Sequence, residues 1–425
     1  MNLLKVLAKR NVALLLGAQS VSAMGSIVQS FALSLFVLAS GSGVKFATVL
    51  AVGMIPRLFG PLTGVVVDRV NRKRLLVVLD VLAGILTVAF ALYHRFVAEL
   101  SLPAIYLLVL LSSSLQAFDD PAISAILPDL VESDDLTDAN SVSSTISNAS
   151  YIVMPVLAAL LYNGVGLFVV MLFNGASFFL SALLEGGLRY QWKPQPAEAR
   201  TSFRRSFAEG MGAIAGSREL ILIVVVSVLA NLALNPFLNV GIPYMIRINL
   251  GASEGLYGLS QSLVFVGPVV GSVLASVLLK RVDYKPLLTW VLALDAVLVA
   301  AAALCVYDTH GTFGPVRYAA LCLMGFAVIA TMALASVGTV TAMQKLVPGQ
   351  LLGRVGGAVT SMAMLAIPLG QWLYGFGLDH WNATGTGLLF AWLVFVGFAF
   401  SLVVWQTLPK PKDTKGSASG GSLPG

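Results

Sequence analysis

Gly64-Val65-Val66-Val67-Asp68-Arg69-Val70-Asn71-Arg72-Lys73-Arg74 lies between two long apolar runs and carries five charges in its last seven residues. That density of charge cannot sit in hydrocarbon, so the two runs must leave the bilayer together here. Four of the five charges are basic, which places the loop on the cytoplasmic side of a membrane. Composition agrees: hydrophobic residues make up 57% of the 425, charged residues 11%, and the mean hydropathy is +0.88. A soluble domain is about 25% charged, so most of this chain belongs in lipid.

Outward from that loop, runs of about twenty apolar residues give twelve spans. They fall near 12–38, 46–67, 75–94, 102–126, 139–162, 165–189, 219–247, 256–279, 286–307, 316–344, 352–377 and 385–408. The first run is too long for a signal peptide and is retained as a span. With both termini in the cytoplasm, 21 of the 26 Lys and Arg fall at cytoplasmic loops and span ends. Only Lys45, Arg95, Arg247 and Arg317 fall outside, and Arg57 stays within a span. One span more or fewer would invert part of the chain and erase this bias. The excess positive charge therefore reports orientation against an anionic leaflet, and nothing in it calls for nucleic acid.

The longest connection, 191–217, contains Pro194, Pro196 and the pair Arg204-Arg205, and divides six spans from six. The second half carries a faded copy of the opening stretch, in which Gly271 leads to Lys280-Arg281-Val282-Asp283-Tyr284-Lys285. Gly271 follows Gly64 by 207 residues, and Asp295 follows Asp80 by 215. Two repeats at nearly one offset predict a duplicated architecture whose halves are related by an axis along the membrane normal. The expected fold is all-α: twelve transmembrane helices in two six-helix pseudo-symmetric bundles. Residues 1–190 form the first bundle, 191–217 a cytoplasmic linker, 218–409 the second bundle and 410–425 a disordered tail rich in Gly and Ser.

The pattern Gly-x-x-x-Asp-Arg-x-x-Arg-Lys-Arg at Gly64–Arg74 resembles the loop signature of the major facilitator superfamily of transporters. Two further stretches, Ala117-Phe118-Asp119-Asp120-Pro121-Ala122 through Pro128-Asp129-Leu130-Val131 and Val347-Pro348-Gly349-Gln350-Leu351-Leu352-Gly353-Arg354-Val355, narrow the likeness. With Ala139-Asn140-Ser141 they are similar to the branch that holds the enterobactin exporter and macrolide-efflux proteins. The resemblance implies export driven by the proton gradient. It also implies that Gly64, Asp68, Arg69 and Arg72 act as a conformational switch, holding one access state closed and releasing as the carrier rocks. In physical terms, Gly64 permits close helix approach, Asp68 can accept from a neighbouring helix N-terminus, and the arginines can pair with nearby acids. Anchoring to lipid headgroups is the alternative.

Ionisable side chains inside spans cost roughly 2.5–3.5 kcal/mol each on insertion scales, so each needs a reason. Arg57, between Pro56 and Pro61, lies about 16 Å above the cytoplasmic edge at 1.5 Å per residue. It serves an anionic substrate, tunes a coupling carboxylate or completes a fixed ion pair. Asp119 and Asp120, neighbours on one helix, point about 100° apart, with Gln116 placed to accompany either. One of them can take up and release a proton as its surroundings alternate between dry and wet, or both anchor a gate. Asp295 and its repeat mate Asp80 read as structural anchors in outer supporting spans, with Asp295 kept among the proton-coupling candidates. Glu185, at a span end, reads as structural.

Polar stripes mark where cargo passes. Gln19, Ser22, Ser26 and Gln29 recur on one face of span one, and Ser227, Asn231, Asn235 and Asn239 on one face of span seven. Asn148 and Tyr151 join them from span five, beside Gln116 and the aromatic residues Phe31, Phe118, Phe237 and Tyr244. These faces line a shared cavity or bond helix to helix. The cavity so described is amphipathic and suits a bulky, partly apolar solute.

The function expected is secondary active transport, a proton-coupled exporter of bulky amphipathic small molecules, drug or siderophore-like. A lipid or lysophospholipid transporter of the same fold is the alternative, and a non-transporting membrane receptor a remote one. No nucleophile–base pairing, nucleotide loop or metal-ligand spacing occurs, so neither enzyme chemistry nor a cofactor or metal is expected. The two cysteines, Cys305 and Cys322, lie within spans as packing residues. Small-molecule substrate, protons and membrane lipids are the expected partners of a monomer in the cell membrane.

Overall fold

The structure, a computed structural model, describes residues 8–132, 135–192, 203–309 and 311–407. The tail 410–425 and linker residues 193–202, with Pro194 and Pro196, lie outside the described residues.

Nine helices among the described residues are long and apolar enough to cross a membrane. Two of these hold two spans each. Leu136–Gly186 turns at Gly166, φ 75°, and Gly349–Thr407 turns at Asn382, φ 64°. Glycine enters that left-handed region without a steric penalty, and Asn is the side chain that best tolerates it. Asn382 also accepts at Oδ1 from the Gly385 amide at 2.9 Å, capping the span that follows. The remaining span is broken into helix Gly43–Met54, a 3-10 turn Pro56–Phe59 and helix Gly60–Val67. Proline at positions 56 and 61 removes two amide donors there, which is why no single long helix forms. The chain thus makes twelve spans in two six-helix bundles.

Other ends follow from local chemistry. Ser42, Asn71 and Ser253 cap spans two, three and eight by accepting the amides of Lys45, Arg74 and Leu256. Span four is interrupted: helix Leu102–Gln116 stops, and a second helix Asp119–Leu130 begins with two acids in its first turn, where the helix dipole favours negative charge. Asp119 and Asp120 therefore start a helix and do not continue the one that carries Gln116. Span seven, Arg218–Pro236 at first, passes into wider π turns at Phe237–Gly241 and Met245–Asn249 beside Pro236 and Pro243. A further helix, Phe203–Ala215, precedes span seven.

The apolar core shows how the halves meet. At the end remote from Asp68, one cluster runs through both halves and includes Phe31, Phe46, Met171, Phe237, Tyr257 and Tyr374. At the Asp68 end the core divides. Val12, Leu16, Leu76 and Ile126 pack in the first half, and Ile214, Leu220, Tyr284 and Val355 in the second. Ion pairs at this end follow the same division: Lys9–Asp135 at 2.6 Å and Arg72–Asp129 at 2.8 Å in the first half, Lys285–Glu219 at 3.0 Å in the second. Arg354 pairs with Glu209 of the preceding helix.

At the remote end the halves touch closely. A Cβ at Gly375 of span eleven would meet the Gly43 carbonyl oxygen and the Ala47 side chain of span two. Only glycine lets these backbones approach so far. Gly64 differs from expectation, since a Cβ there would meet open space. The halves have parted at its end, so no helix lies close to it.

Candidate substrate cavity

Between the halves lies a cavity of about 950 Å³, at the upper end of the range for small-molecule sites, roughly 300–1,000 Å³. Spans one to eight and span eleven all contribute to its wall. Two stacked aromatic pairs cross between the halves: Phe31 on Tyr257 with ring centroids 4.8 Å apart, and Tyr151 on Phe265 at 5.3 Å. They form the apolar part of the lining. Gln19, Ser22, Ser26, Gln116 and Asn239 supply the polar part.

Charge is concentrated on one side. Asp119, Asp120 and Arg57 line the cavity as the sequence places them. Arg57 has no ion-pair partner among the described residues and is exposed to the cavity, so the fixed-pair alternative does not hold here. The break in span four aims Gln116, Asp119 and Asp120 into one space despite their different helices.

Two acids that sequence reasoning set aside as structural also line the cavity. Asp80 of span three is buried, and Glu185 of span six more so, at 4% exposure. Asp80 Oδ2 and Glu185 Oε2 have no hydrogen-bond partner. Asp80, Glu185 and Asp119 line the same cavity and form one group of acids there. A lone acid near a span end reads as a snorkelling residue. Only the inward turn of span six beside span three reveals the cluster.

Several expected lining residues lie elsewhere. Gln29 is buried and accepts from Asn174 Nδ2 at 2.9 Å, a bond between spans one and six. Ser227, Asn231 and Asn235 are not part of the cavity wall; Asn231 donates to the Ser227 carbonyl on its own helix, and Asn235 accepts from Asn239. The π turn beginning at Phe237 adds a residue to the helical repeat, so a stripe in steps of four does not stay on one face across it. Asn148 is exposed but is not part of the wall. Phe237 is fully buried in the core. Asp295 is likewise buried away from the cavity, accepting from Thr331 Oγ1 at 2.5 Å between spans nine and ten. The two members of the repeated pair have therefore diverged, Asp80 towards the cavity and Asp295 towards a helix seam.

The loop that opened the sequence reading is half exposed. Asp68 ends its helix with its side chain 53% exposed, 3.7 Å from Arg72. Arg72 is buried and donates to the Ala125 carbonyl at 3.0 Å as well as to Asp129. Tyr190 donates to the same carboxylate at 3.0 Å. Burial first, and then that bond, pushes the Tyr190 phenol above its ordinary value. Arg69 is exposed.

A cavity between two six-helix halves, sealed at one end and parted at the other, defines an integral membrane protein with the major facilitator transporter fold. Within that superfamily the profile of the family described as transmembrane secretion effector matches residues 4–419, and the chain belongs to this family.

Macrolide efflux protein A of Streptococcus pyogenes is 32% identical over 150 residues, which are 34% of this chain and 36% of that protein. The protein of the same name from Enterococcus faecalis is 36% identical over 115 residues, 26% of this chain and 34% of that one. The matched stretch spans about a third of each relative's length. Among solved structures, a variant of the nucleoside transporter NupG superposes with TM-score 0.76 at 15% identity, covering 93% of this chain and 99% of that one. A bacterial homologue of the iron transporter ferroportin, in an inward-facing state, gives TM-score 0.66 at 18% identity over 93% and 97%. Likeness at these identities is likeness of fold.

Proposed function

We propose that this chain is a proton-coupled exporter that moves bulky amphipathic small molecules by alternating access. The observation that carries the reading is the cavity itself: stacked aromatics and amides on one side, and on the other a cluster of buried carboxylates with unpartnered oxygens. Three acids that share one space cannot all stay ionised once that space closes and dries, because like charges repel strongly at low dielectric. They must hold protons when the site is closed and release them when it opens to water. Asp80, Asp119 and Glu185 are the coupling group, with Asp120 beside them and Arg57 as the cation that balances or competes.

The family and the macrolide efflux relatives support the direction of transport. In the proposed topology both termini and the Asp68 loop are cytoplasmic, in the cell membrane of a bacterium. The conformer is then open to the cytoplasm, the side from which an exporter loads. Residues 1–190 and 218–409 move as the two rocking units, with 191–217 as the tether. Asp68 with Arg69 and Arg72 would close the cytoplasmic side in the opposite state, and the protein works as a monomer.

The energetics suffice. One charge crossing 100 mV yields about 2.3 kcal/mol, enough for roughly a 50-fold gradient. The test is accumulation of macrolides, lipophilic cations and catecholate siderophores in proteoliposomes with an imposed pH gradient, with and without protonophore. Protonophore-sensitive accumulation of one class supports the reading and names the cargo. Movement insensitive to protonophore for every class overturns the coupling and turns attention to lipid cargo.

A further inference from the structure

Span two and span eleven run antiparallel, and at the sealed end the start of one lies against the finish of the other. Asp379 follows this contact. Its carboxylate accepts from the Gly43 amide at 2.5 Å, the Val44 amide at 3.2 Å and the Ser42 hydroxyl at 2.7 Å. Ser42 is itself the cap of span two, accepting from the Lys45 amide at 3.3 Å. A carboxylate from one half thus completes the cap of a helix in the other half. Tyr244 of span seven adds a second bridge by donating to the Gly41 carbonyl at 3.1 Å.

The opposite end of the same two spans has the same parts, unjoined. Asp68 directly follows span two, and span eleven begins at Gly349, with Pro348 and Gly349 exposed. Asp68 trails Gly43 by 25 residues, and Asp379 trails Gly349 by 30. Each span therefore ends in an aspartate at the end of the bundle where its neighbour begins, and a helix start offers partial positive charge and unsatisfied amides that attract a carboxylate.

We propose that Asp379 is the gating residue of the sealed face: its capture of the span two N-terminus holds that face shut, and its release is a required step of the transport cycle. This rests on the alternating-access reading for its meaning, but the measurement below needs no cargo. Asp379 and Asp68 then act as reciprocal latches at the two ends of one helix pair, each closed only when the other is open. A carboxylate suits the task because it is a strong acceptor for two amides at once and is readily hydrated when released.

The test reads accessibility. In a background of Cys305→Ser and Cys322→Ser, Asn239→Cys reports the cavity near the sealed face, and Ser361→Cys reports it from the Asp68 side. A membrane-impermeant maleimide is applied to intact cells and, separately, to inside-out vesicles, so that each face is sampled whatever the topology. Asp379→Ala removes a charged acceptor shared by three donors, so it is expected to raise labelling of the Asn239 reporter from the sealed face at least roughly tenfold. Asp379→Asn, which keeps the shape and one acceptor, falls between. Labelling of the Ser361 reporter from the other face does not rise in either variant. Unchanged labelling of the Asn239 reporter overturns the gating role. A rise at both reporters also overturns it, because that marks general loosening. Either failure leaves gradient-driven transport to be judged by the proteoliposome assay alone.

Discussion

Exchanging Arg72 for Met and, separately, Asp68 for Asn separates what the loop does for folding from what it is proposed to do for gating. The Arg72 side chain is 9% exposed and donates to Asp129 at 2.8 Å and to the Ala125 carbonyl at 3.0 Å. A bond to a charged group contributes about 1.5–3 kcal/mol and a neutral one about 0.5–1.5, so Arg72→Met should cost roughly 2–4 kcal/mol. Asp129 is 47% exposed and keeps its bond from Tyr190. It is not stranded, which holds the cost below the upper end for a broken buried pair, about 5 kcal/mol. Asp68 is different. Its pair with Arg72 at 3.7 Å is half solvated, and such pairs contribute about 0.3–0.5 kcal/mol. Asp68→Asn should therefore leave the stability of this conformer nearly unchanged. In the opposite state an acid at a helix N-terminus contributes about 0.3–2 kcal/mol, so the variant should slow turnover roughly two- to thirtyfold without weakening cargo binding. Thermal unfolding of purified protein, followed by tryptophan fluorescence, gives the first quantity; binding and transport in proteoliposomes give the others. An Arg72→Met protein as stable as the parent would refute the packing account. Equal loss of stability in both variants, or undiminished transport by Asp68→Asn, would refute the division of roles.

Glu185→Gln should abolish uphill accumulation while sparing downhill exchange, measured in the same vesicles with and without a pH gradient; full uphill transport would move coupling to Asp119 or Asp120. Asp120→Asn, more exposed than its neighbours in the group, should reduce uphill transport less than Glu185→Gln, and the reverse order would make Asp120 the principal carrier. Gln29→Leu strands the buried Asn174 amide and should cost about 1–3 kcal/mol with no change in the order of cargo preference; a changed order would return Gln29 to the site. Tyr190→Phe tests a pH effect with a definite sign. Because the folded phenol is raised above its ordinary 10.0, its stabilisation is full below about pH 10 and is lost as pH climbs through the folded value. The Phe variant should unfold with a shallower alkaline decline, and an unchanged alkaline limb would sink the assignment.

Hydropathy and charge made the scaffold legible because a bilayer leaves few choices. Each basic loop must face one side, and each apolar run must be long enough to cross. What they could not show is where a helix bends and which wall a polar residue faces. Span four looks continuous in composition, yet it stops at Gln116 and restarts at Asp119. Span seven has an Asn every four residues, yet π turns redirect the last of them alone into the cavity. Gln29 and Asn174 are each unremarkable polar residues in apolar runs until the fold sets them 2.9 Å apart. Glu185 and Asp80 read as structural from their positions along the chain, whereas their positions across the bundle bring both into the cavity wall. Asp379 carries no signal in sequence, since its ligands are backbone amides of Gly43 and Val44.

The unequal pairing at the two ends indicates how a small free-energy difference can decide which face is open. At the Asp68 end the named ion pairs lie within a half or tie the preceding helix to span eleven, so parting the halves breaks none of them. At the sealed end the Asp379 bonds, the Tyr244 bridge and the Gly375 seam join one half to the other, and the two aromatic stacks do so along the cavity. Opening that face exposes Phe31 and Tyr257 to water, at roughly 1.5–3 kcal/mol for each large side chain, and releases the Asp379 carboxylate. A comparable set of contacts must form at the Asp68 end for the carrier to cycle. In the proposed cycle Asp68 on the span eleven N-terminus would supply one such contact, matched in kind to the one lost. In the same proposed cycle, cargo bound against Phe31 and Tyr257 and protons bound at Asp80, Asp119 and Glu185 would act on either side of this balance. A differential affinity of about 1.4 kcal/mol between states already shifts the population tenfold. That is well within what one proton moving down the membrane potential supplies.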